Sequence, residues 1–519
     1  MSARTRKGVA GEFERFVTGA LGIVAATPTA EADKGCCGTP EEEEVAPPPP
    51  KRETPKARPT TLEEARRVFK KWLGNDYDTN ALDAMLATLA AERLGGEPVW
   101  LLIISGSGNT KTTTVNACSG VGALVVSTIT SEAALLSGTE KKSRAKDATG
   151  GLLREIGASG VLVIKDFTSI LSMNRDLRAQ VLGAFREIHD GSWVRKIGNE
   201  GGRSIPWEGR IAVIGAVTTA WDTHHSVIAS MGDRFILLRV DSKKGRIAAG
   251  RQAIRNTDQE KKMQAELSAA VGGVIANMDT AGITLNEQET ETVLAAADLV
   301  TRARTACEYD YQGNVIDAHA PEMPTRFAKE LTQIIRGAVA VGMDRREALR
   351  LAIRCACDSM PPLRLAIIDD LVGNVESTTS DVQRRLNKPW KTVDRQLQSL
   401  NMLEVLDVVE KPWGEERHRW HYSLAADVHP EALNPELLSD PLSSPEKSVD
   451  TPTPHEKKKE GETQTKQDRI HTDKSGEHPP QQTTETQGSG DSCPSCDKPF
   501  DLPNPSCSAA DWHGDGETP

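Results

Sequence analysis

The sequence predicts an α/β fold built on a parallel sheet, and three observations predict it. Four short apolar runs stand at 99–104, 161–164, 211–214 and 235–238. The stretches between them carry helical periodicity, and runs with no polar alternation are strands buried on both faces, as in parallel sheets sandwiched by helices. The first run also feeds a glycine-rich loop that opens a helix, so strand, turn and helix N-terminus follow one another without a break.

The bulk properties bound what such a fold can do. A chain of 519 residues accommodates roughly two to four domains. Its net charge of −11 excludes a generally basic nucleic-acid coat, so any nucleic-acid contact must be local. Nine cysteines in this length form no disulfide scaffold, which points to a reducing, cytoplasmic setting. No apolar run approaches the ~20 residues of a membrane helix. Glu12 and Glu14 stand where a secretion signal carries positive charge, so no membrane is expected as a partner. Composition then divides the chain. Residues 1–58, with an acidic run at 41–44 and prolines at 47–50, are expected to be disordered, as is the polar linker 427–490. Between them come a sheet-bearing core (59–245), a helical lid (246–358) and a small domain (359–426), and a cysteine-bearing tail (491–519) follows.

The core opens with Leu82, Met85, Leu86, Leu89 and Leu94, spaced to share one helix face. Pro98 ends that segment, and the first strand runs into Ser105, Gly106, Ser107, Gly108, Asn109, Thr110, Lys111 and Thr112. Backbone N–H groups and a helix dipole at such a turn cradle phosphate. Lys111 is placed to reach the β- and γ-phosphates of ATP, and the Thr112 hydroxyl to sit on Mg²⁺. Ser105 and Thr110 replace the two glycines that usually bracket a P-loop, so the loop geometry is its own.

A triphosphate site also needs an acid at the end of a neighbouring strand to hold the Mg²⁺ shell. Asp166, directly after the second apolar run, is the candidate. The next residue is Phe167, where many ATPases carry the hydrolytic glutamate; Glu132 and Glu187 are left as candidates for the base. Thr218 and Thr219 close the third strand and can hydrogen-bond the γ-phosphate or the attacking water. Arg234, in Gly-Asp-Arg-Phe before the fourth strand, suits transition-state charge on a neighbouring subunit's nucleotide, although a salt bridge with Asp233 would place it equally well.

The order of P-loop, aspartate strand, hairpin insert (193–207), threonine strand and Gly-Asp-Arg-Phe resembles the AAA+ cores of minichromosome-maintenance and superfamily 3 helicases. It is more closely similar to a family of AAA+-type ATPases from actinobacteria and their phages and mobile elements. The stretches that carry the resemblance are Pro-Val-Trp-Leu-Leu at 98–102, Thr-Gly-Gly-Leu-Leu at 149–153, Val-Ile-Lys-Asp-Phe-Thr-Ser at 163–169 and Met-Gly-Asp-Arg-Phe at 231–235. The resemblance implies that Thr218 or Thr219 is sensor 1, that Arg234 is an arginine finger and that Arg326, opening a lid helix at 324–327, is a sensor 2. It further implies a homo-oligomeric ring, a hexamer among the candidates, with hairpin residues such as Arg195 and Lys196 facing DNA, although a plain surface hairpin fits the sequence equally well.

The small domain reads as helix-turn-helix followed by a two-stranded wing, the winged-helix pattern. Thr378 and Thr379 are cap candidates for a helix at 380–386, and the helix 390–400 presents Lys391, Arg395 and Gln396 for phosphate and base-edge contacts. The wing adds Arg417 and Arg419, and protein docking is the other use of such a domain. Cys493, Cys496, Cys507 and His513 have spacings compatible with a zinc (Zn²⁺) knuckle, with exposed free thiols as the alternative. The expected function is an ATP-dependent DNA-binding motor, helicase-like, in replication or a related DNA transaction of a phage or mobile element. A DNA-binding regulator gated by ATP, without unwinding, is the other reading.

Overall fold

The computed structural model describes residues 58–108, 110–139, 148–198, 202–230, 233–413 and 417–434. Asn109, Met231, Gly232, the N-terminal segment 1–57 and the tail with Cys493, Cys496, Cys507 and His513 lie outside the described residues.

Between residues 100 and 239 the strands are β1 (Trp100–Ile104), β2 (Leu124–Val126), β3 (Ser159–Ile164), β4 (Ser192–Ile197), β5 (Arg203–Glu208), β6 (Arg210–Val217) and β7 (Ile236–Arg239). Five of them form one parallel sheet in the order β2-β3-β6-β1-β7. All four expected strands are present. The fifth, β2, has three residues following glycines at 120 and 122, too little apolar sequence to stand out. Alternation along β1 shows why the runs are apolar throughout: Trp100, Leu102 and Ile104 enter one core, Leu101 and Ile103 the other. The first core is aromatic, with Phe167 packed edge-on to Phe235 at 5.1 Å and Trp100 edge-on to Phe185 at 5.5 Å. β4 and β5 form the separate hairpin insert, with Trp193 directly opposite Trp207.

The other core is helical. Thr61 and Glu64 form a capping box that starts helix Leu62–Leu73. Helix Thr79–Leu94 is buried on every side from Ala81 to Ala91, where the sequence spacing predicted a single apolar face. The physical reason is its alanines: they form a second, shallow face on which helix Pro324–Ala340 lies close. A Cβ added at Gly337 would stand 2.0 Å from the Ala87 carbonyl oxygen. Gly337→Ala is therefore expected to destabilise the chain by about 1–3 kcal/mol through overpacking. A thermal melt checks this, and an unchanged midpoint would show that the two helices separate easily.

The lid region contains helices Arg246–Arg255, Glu260–Ala276, Glu287–Ala303, Pro324–Ala340 and Arg345–Asp358. It also holds a hairpin that helical periodicity did not reveal, β8 (Cys307–Tyr309) and β9 (Val315–Ala318). Beyond it come helix Pro362–Gly373, β10 (Ser377–Thr378), helices Thr379–Leu386 and Trp390–Met402, then β11 (Leu406–Pro412) and β12 (His418–Leu424). These strands form an antiparallel sheet in the order β10-β12-β11. Thr378 caps the first of the two short helices through a capping box with Asp381, and Asn387 ends it in the left-handed conformation at φ 50°. One continuous apolar core joins these elements to the lid: Val382, Leu397 and Tyr422 belong to the same cluster as Phe327 and Leu351.

Candidate functional site

The phosphate loop leaves the sheet at the C-terminal end of β1. Gly108 has φ +76°, a conformation open to glycine, and helix Lys111–Asn116 begins directly after. Lys111 is largely buried, and its ammonium donates to the Gly106 carbonyl oxygen at 2.8 Å. Burial lowers its pKa from the ordinary lysine value, while the charge of Asp166 pulls it back up. The Gly106 N–H is held by the Ser242 hydroxyl at 2.7 Å, from the segment after β7. The loop's polar groups thus partner one another and Ser242. Thr112 is exposed beside this cradle.

Asp166 stands exposed at the end of β3, and its carboxylate accepts from the Thr168 N–H at 3.0 Å. β6 lies between β1 and β3, so at ~4.8 Å per strand Asp166 is about 10 Å across the sheet from the loop's strand. The end of β6 fills that gap with Thr218, whose N–H donates to the Thr168 hydroxyl at 3.0 Å. Thr219 is exposed next to it. The loop, Thr218 and Asp166 therefore stand at the C-terminal ends of three adjacent strands, where α/β sheets bind ligands.

Phe167 is fully buried in the aromatic core. That position turns inward, which is why no acid stands there. Glu132 is held by Arg195 at 2.9 Å, and Arg195 donates also to the Leu136 carbonyl at 2.8 Å. Arg195 thus anchors the β4–β5 hairpin to the body, whereas Lys196 donates to the Ser204 hydroxyl on the hairpin itself. Glu187 is exposed on helix Arg175–His189.

Arg234 lies at the opposite end of the sheet. Ile236 pairs with Leu101 in parallel register, so Arg234 is level with the start of β1. At ~3.3 Å per residue it is roughly 20 Å from its own phosphate loop. Its guanidinium is 3.4 Å from Asp190, rather than paired with the adjacent Asp233. Arg326 also sits there: it donates to the Asp233 carbonyl at 2.7 Å and pairs with Glu322. The structure therefore does not bring Arg326 to the 105–112 loop of its own chain, because its helix begins against the start of β7. Around these arginines lies a buried polar cluster of Asp233, Arg304, Glu330 and His189. Burial raises the Asp233 pKa, with the Arg304 charge opposing.

Sequence reasoning missed the cavity beside the cradle. It has a volume of about 400 Å³ and is walled by the 74–79 turn, Thr110, Lys244, Gly245 and Arg354. Tyr77 hydrogen-bonds Thr114 of the phosphate-loop helix at 3.0 Å. Arg354 makes a two-pronged contact to Asp78, the cap of helix Thr79–Leu94. Arg354 lines this cavity, whereas Arg326 does not. The Gly-Asn-Asp turn at 74–76, between two helical stretches just ahead of the first strand, was the available signal.

The small domain's candidate DNA contacts divide. Lys391 is exposed on helix Trp390–Met402. Gln396 accepts from the buried Arg364 at 2.9 Å, so its carbonyl oxygen is engaged within the fold and the amide cannot pair with a base through both of its atoms. Arg395 donates to the Gly313 carbonyl at 2.7 Å and lies over the Tyr309 ring, both in the β8–β9 hairpin. Arg417 and Arg419 are exposed on the wing, with Arg419 stacked 3.5 Å above the Trp413 ring. Among the described residues no helix is long and apolar enough to cross a membrane, and no group of three metal-ligating side chains occurs.

Together these features define the class: a mixed α/β chain with a P-loop-like core on a five-stranded parallel sheet. No family model and no curated protein matches the chain. Among solved structures, the apo A form of the NrS-1 C-terminal region is 10% identical over 71% of this chain and 78% of that one, with a TM-score of 0.26. The Aeropyrum pernix ORC1 protein in complex with DNA is 14% identical over 68% of this chain and 90% of that one, with a TM-score of 0.20. At such scores, function rests on the geometry of the site itself.

Proposed function

We propose that this chain is an ATP-dependent, DNA-binding motor of the AAA+ type, helicase-like, serving replication or a related DNA transaction of a phage or mobile element. The observation that carries the reading is the convergence of Lys111, Thr112, Thr218 and Asp166 at one end of the sheet, with Arg234 at the other. Lys111 and the loop N–H groups would hold the β- and γ-phosphates, and Thr112 and Asp166 the Mg²⁺ shell. Bound Mg²⁺ would supply charge neutralisation on the transferring phosphoryl group. Thr218 would orient the attacking water, and the cavity beside Thr110 has room for the nucleoside. Arg234, too far from its own loop, would complete the site of the next subunit in a ring.

Helix Pro362–Gly373, the two short helices, β10 and the β11–β12 hairpin support a winged-helix reading of the small domain. With Arg395 and Gln396 engaged inside the chain, Lys391, Arg417 and Arg419 carry the DNA reading. Replacing these three by alanine should weaken duplex binding and reduce the slope of log affinity against log salt by about 0.9 per lost phosphate contact. A slope equal to wild type would move DNA binding away from this surface. A DNA-stimulated ATPase assay tests the main reading, and strand displacement then separates a motor from a switch. Absent stimulation by DNA would refute it. The alternative of an ATP-gated regulator draws on one observation, the buried Phe167 where a hydrolytic acid would otherwise stand.

A further inference from the structure

Helix Arg246–Arg255 contributes no buried residue to the fold. Ile247 is 72% exposed and Ile254 76%, and seven residues apart they share one face with Arg251 between them. Residues 243–255 hold five cations (Lys243, Lys244, Arg246, Arg251 and Arg255) and no carboxylate. This helix rims the nucleoside-sized cavity, which Lys244, Ala248 and Ala249 help to line.

The opposite chemistry flanks Arg234. Residues 305–323 hold four carboxylates and no lysine or arginine. Arg304 pairs with Glu322 at 3.0 Å and so joins the two ends of this segment, and Arg326, which also pairs with Glu322, donates to the Asp233 carbonyl just ahead of β7. On its β8–β9 hairpin, Tyr309 turns inward to hydrogen-bond Ser399 at 3.1 Å. Glu308 stands directly opposite Asp317, and both are exposed. Like charges facing each other across strands destabilise a hairpin, and the His319 imidazole, 3.9 Å from Glu308, lies at the edge of ion-pair range. Tyr311, Ile316 and Met323 are exposed around it at 93%, 55% and 71%.

We propose that the basic, isoleucine-bearing helix Arg246–Arg255 of one copy docks on the acidic, apolar β8–β9 hairpin of the next copy, joining copies head to tail. The inference rests on the proposed function in one respect, that Arg234 acts on a neighbour's nucleotide. An arginine roughly 20 Å from its own loop reaches a nucleotide only when its edge abuts the cavity rim of another copy. The surface flanking the finger must then meet the surface flanking the cavity, and these two surfaces are complementary in charge and both apolar. A contact of this kind is heterologous and closes into a ring when the rotation allows.

Sedimentation velocity of the full chain with Mg²⁺ and the non-hydrolysable analogue adenylyl imidodiphosphate tests this. Wild type should assemble. Arg251→Glu with Arg255→Glu, and separately Glu308→Lys with Asp317→Lys, should each weaken assembly by about tenfold or more, since like charges then meet. A chain with all four substitutions should regain assembly. Assembly unaffected by either reversal, or no recovery in the fourfold variant, overturns the proposal. So does normal assembly by Arg251→Glu with Arg255→Glu accompanied by lost affinity for a DNA duplex, which would assign the helix to nucleic acid. Nucleotide binding is measured alongside by fluorescence of a labelled analogue. A wild-type chain that binds nucleotide yet stays monomeric sinks the interface alone, whereas one that binds no nucleotide sinks the proposed function.

Discussion

Lys111→Ala is expected to abolish productive ATP binding and turnover. Lys111 is largely buried in the loop, and its ammonium already serves a loop carbonyl at 2.8 Å. With nucleotide present the same charge would turn to the β- and γ-oxygens, in a site where burial strengthens each electrostatic contact. Truncating one partner of a buried, hydrogen-bonded charge pair costs about 2–5 kcal/mol. At 1.4 kcal/mol per decade that is roughly a 30- to 4,000-fold loss of affinity. Titration with a fluorescent nucleotide checks the binding, and phosphate release checks the turnover. Lys111→Arg is the informative companion: it keeps the charge but replaces the compact ammonium with a planar, forked head. Wild-type affinity and turnover in the alanine variant would remove the phosphate-loop reading altogether.

What the sequence disclosed about this site follows the reach of its contacts. The strand, loop and helix around Lys111 are continuous in the chain, so their pattern was legible despite Ser105 and Thr110 at the glycine positions. Asp166 and Thr218 were legible for the same reason, since each directly follows an apolar strand. The cavity wall was not, because Asp78 and Arg354 meet across 276 residues and neither lies in a recognisable motif. Gln396 shows the opposite failure. Its position on a helix after a turn fits a base reader, yet Arg364 approaches from a different helix and takes its carbonyl oxygen. Arg326 was misplaced by analogy of order: it opens a lid helix, but that helix starts against β7 rather than over the phosphate loop. Phe167 was visible only as a missing acid, and its packing with Phe185, Trp221 and Phe235 supplies the reason.

Arg234→Ala is expected to leave ATP binding near wild type while slowing hydrolysis by about 10³- to 10⁵-fold, the range of a lost arginine finger. The reasoning is geometric before it is chemical. Arg234 sits level with the start of β1, roughly 20 Å from the loop of its own chain, so it contributes nothing to ground-state binding there. An interaction made only as charge develops in the transition state raises kcat without tightening the substrate complex. Part of the side chain is prepared for this. It is half-buried, its Nε has no partner among the described residues, and its outer nitrogen rests 3.4 Å from an Asp190 that is itself well exposed. A weak contact to an exposed carboxylate is readily exchanged for a phosphate oxygen. Because the two defects lie on different copies, mixing Arg234→Ala with Lys111→Ala chains should restore turnover at mixed interfaces, where an intact cradle meets an intact finger. Steady-state phosphate release over a range of mixing ratios reads this out, with a maximum near equal amounts. Turnover of the Arg234→Ala chain at the wild-type rate would rule the finger out. A slow variant that no Lys111→Ala chain rescues would place the arginine's effect within its own subunit, through the buried cluster of Asp233, Arg304 and Glu330.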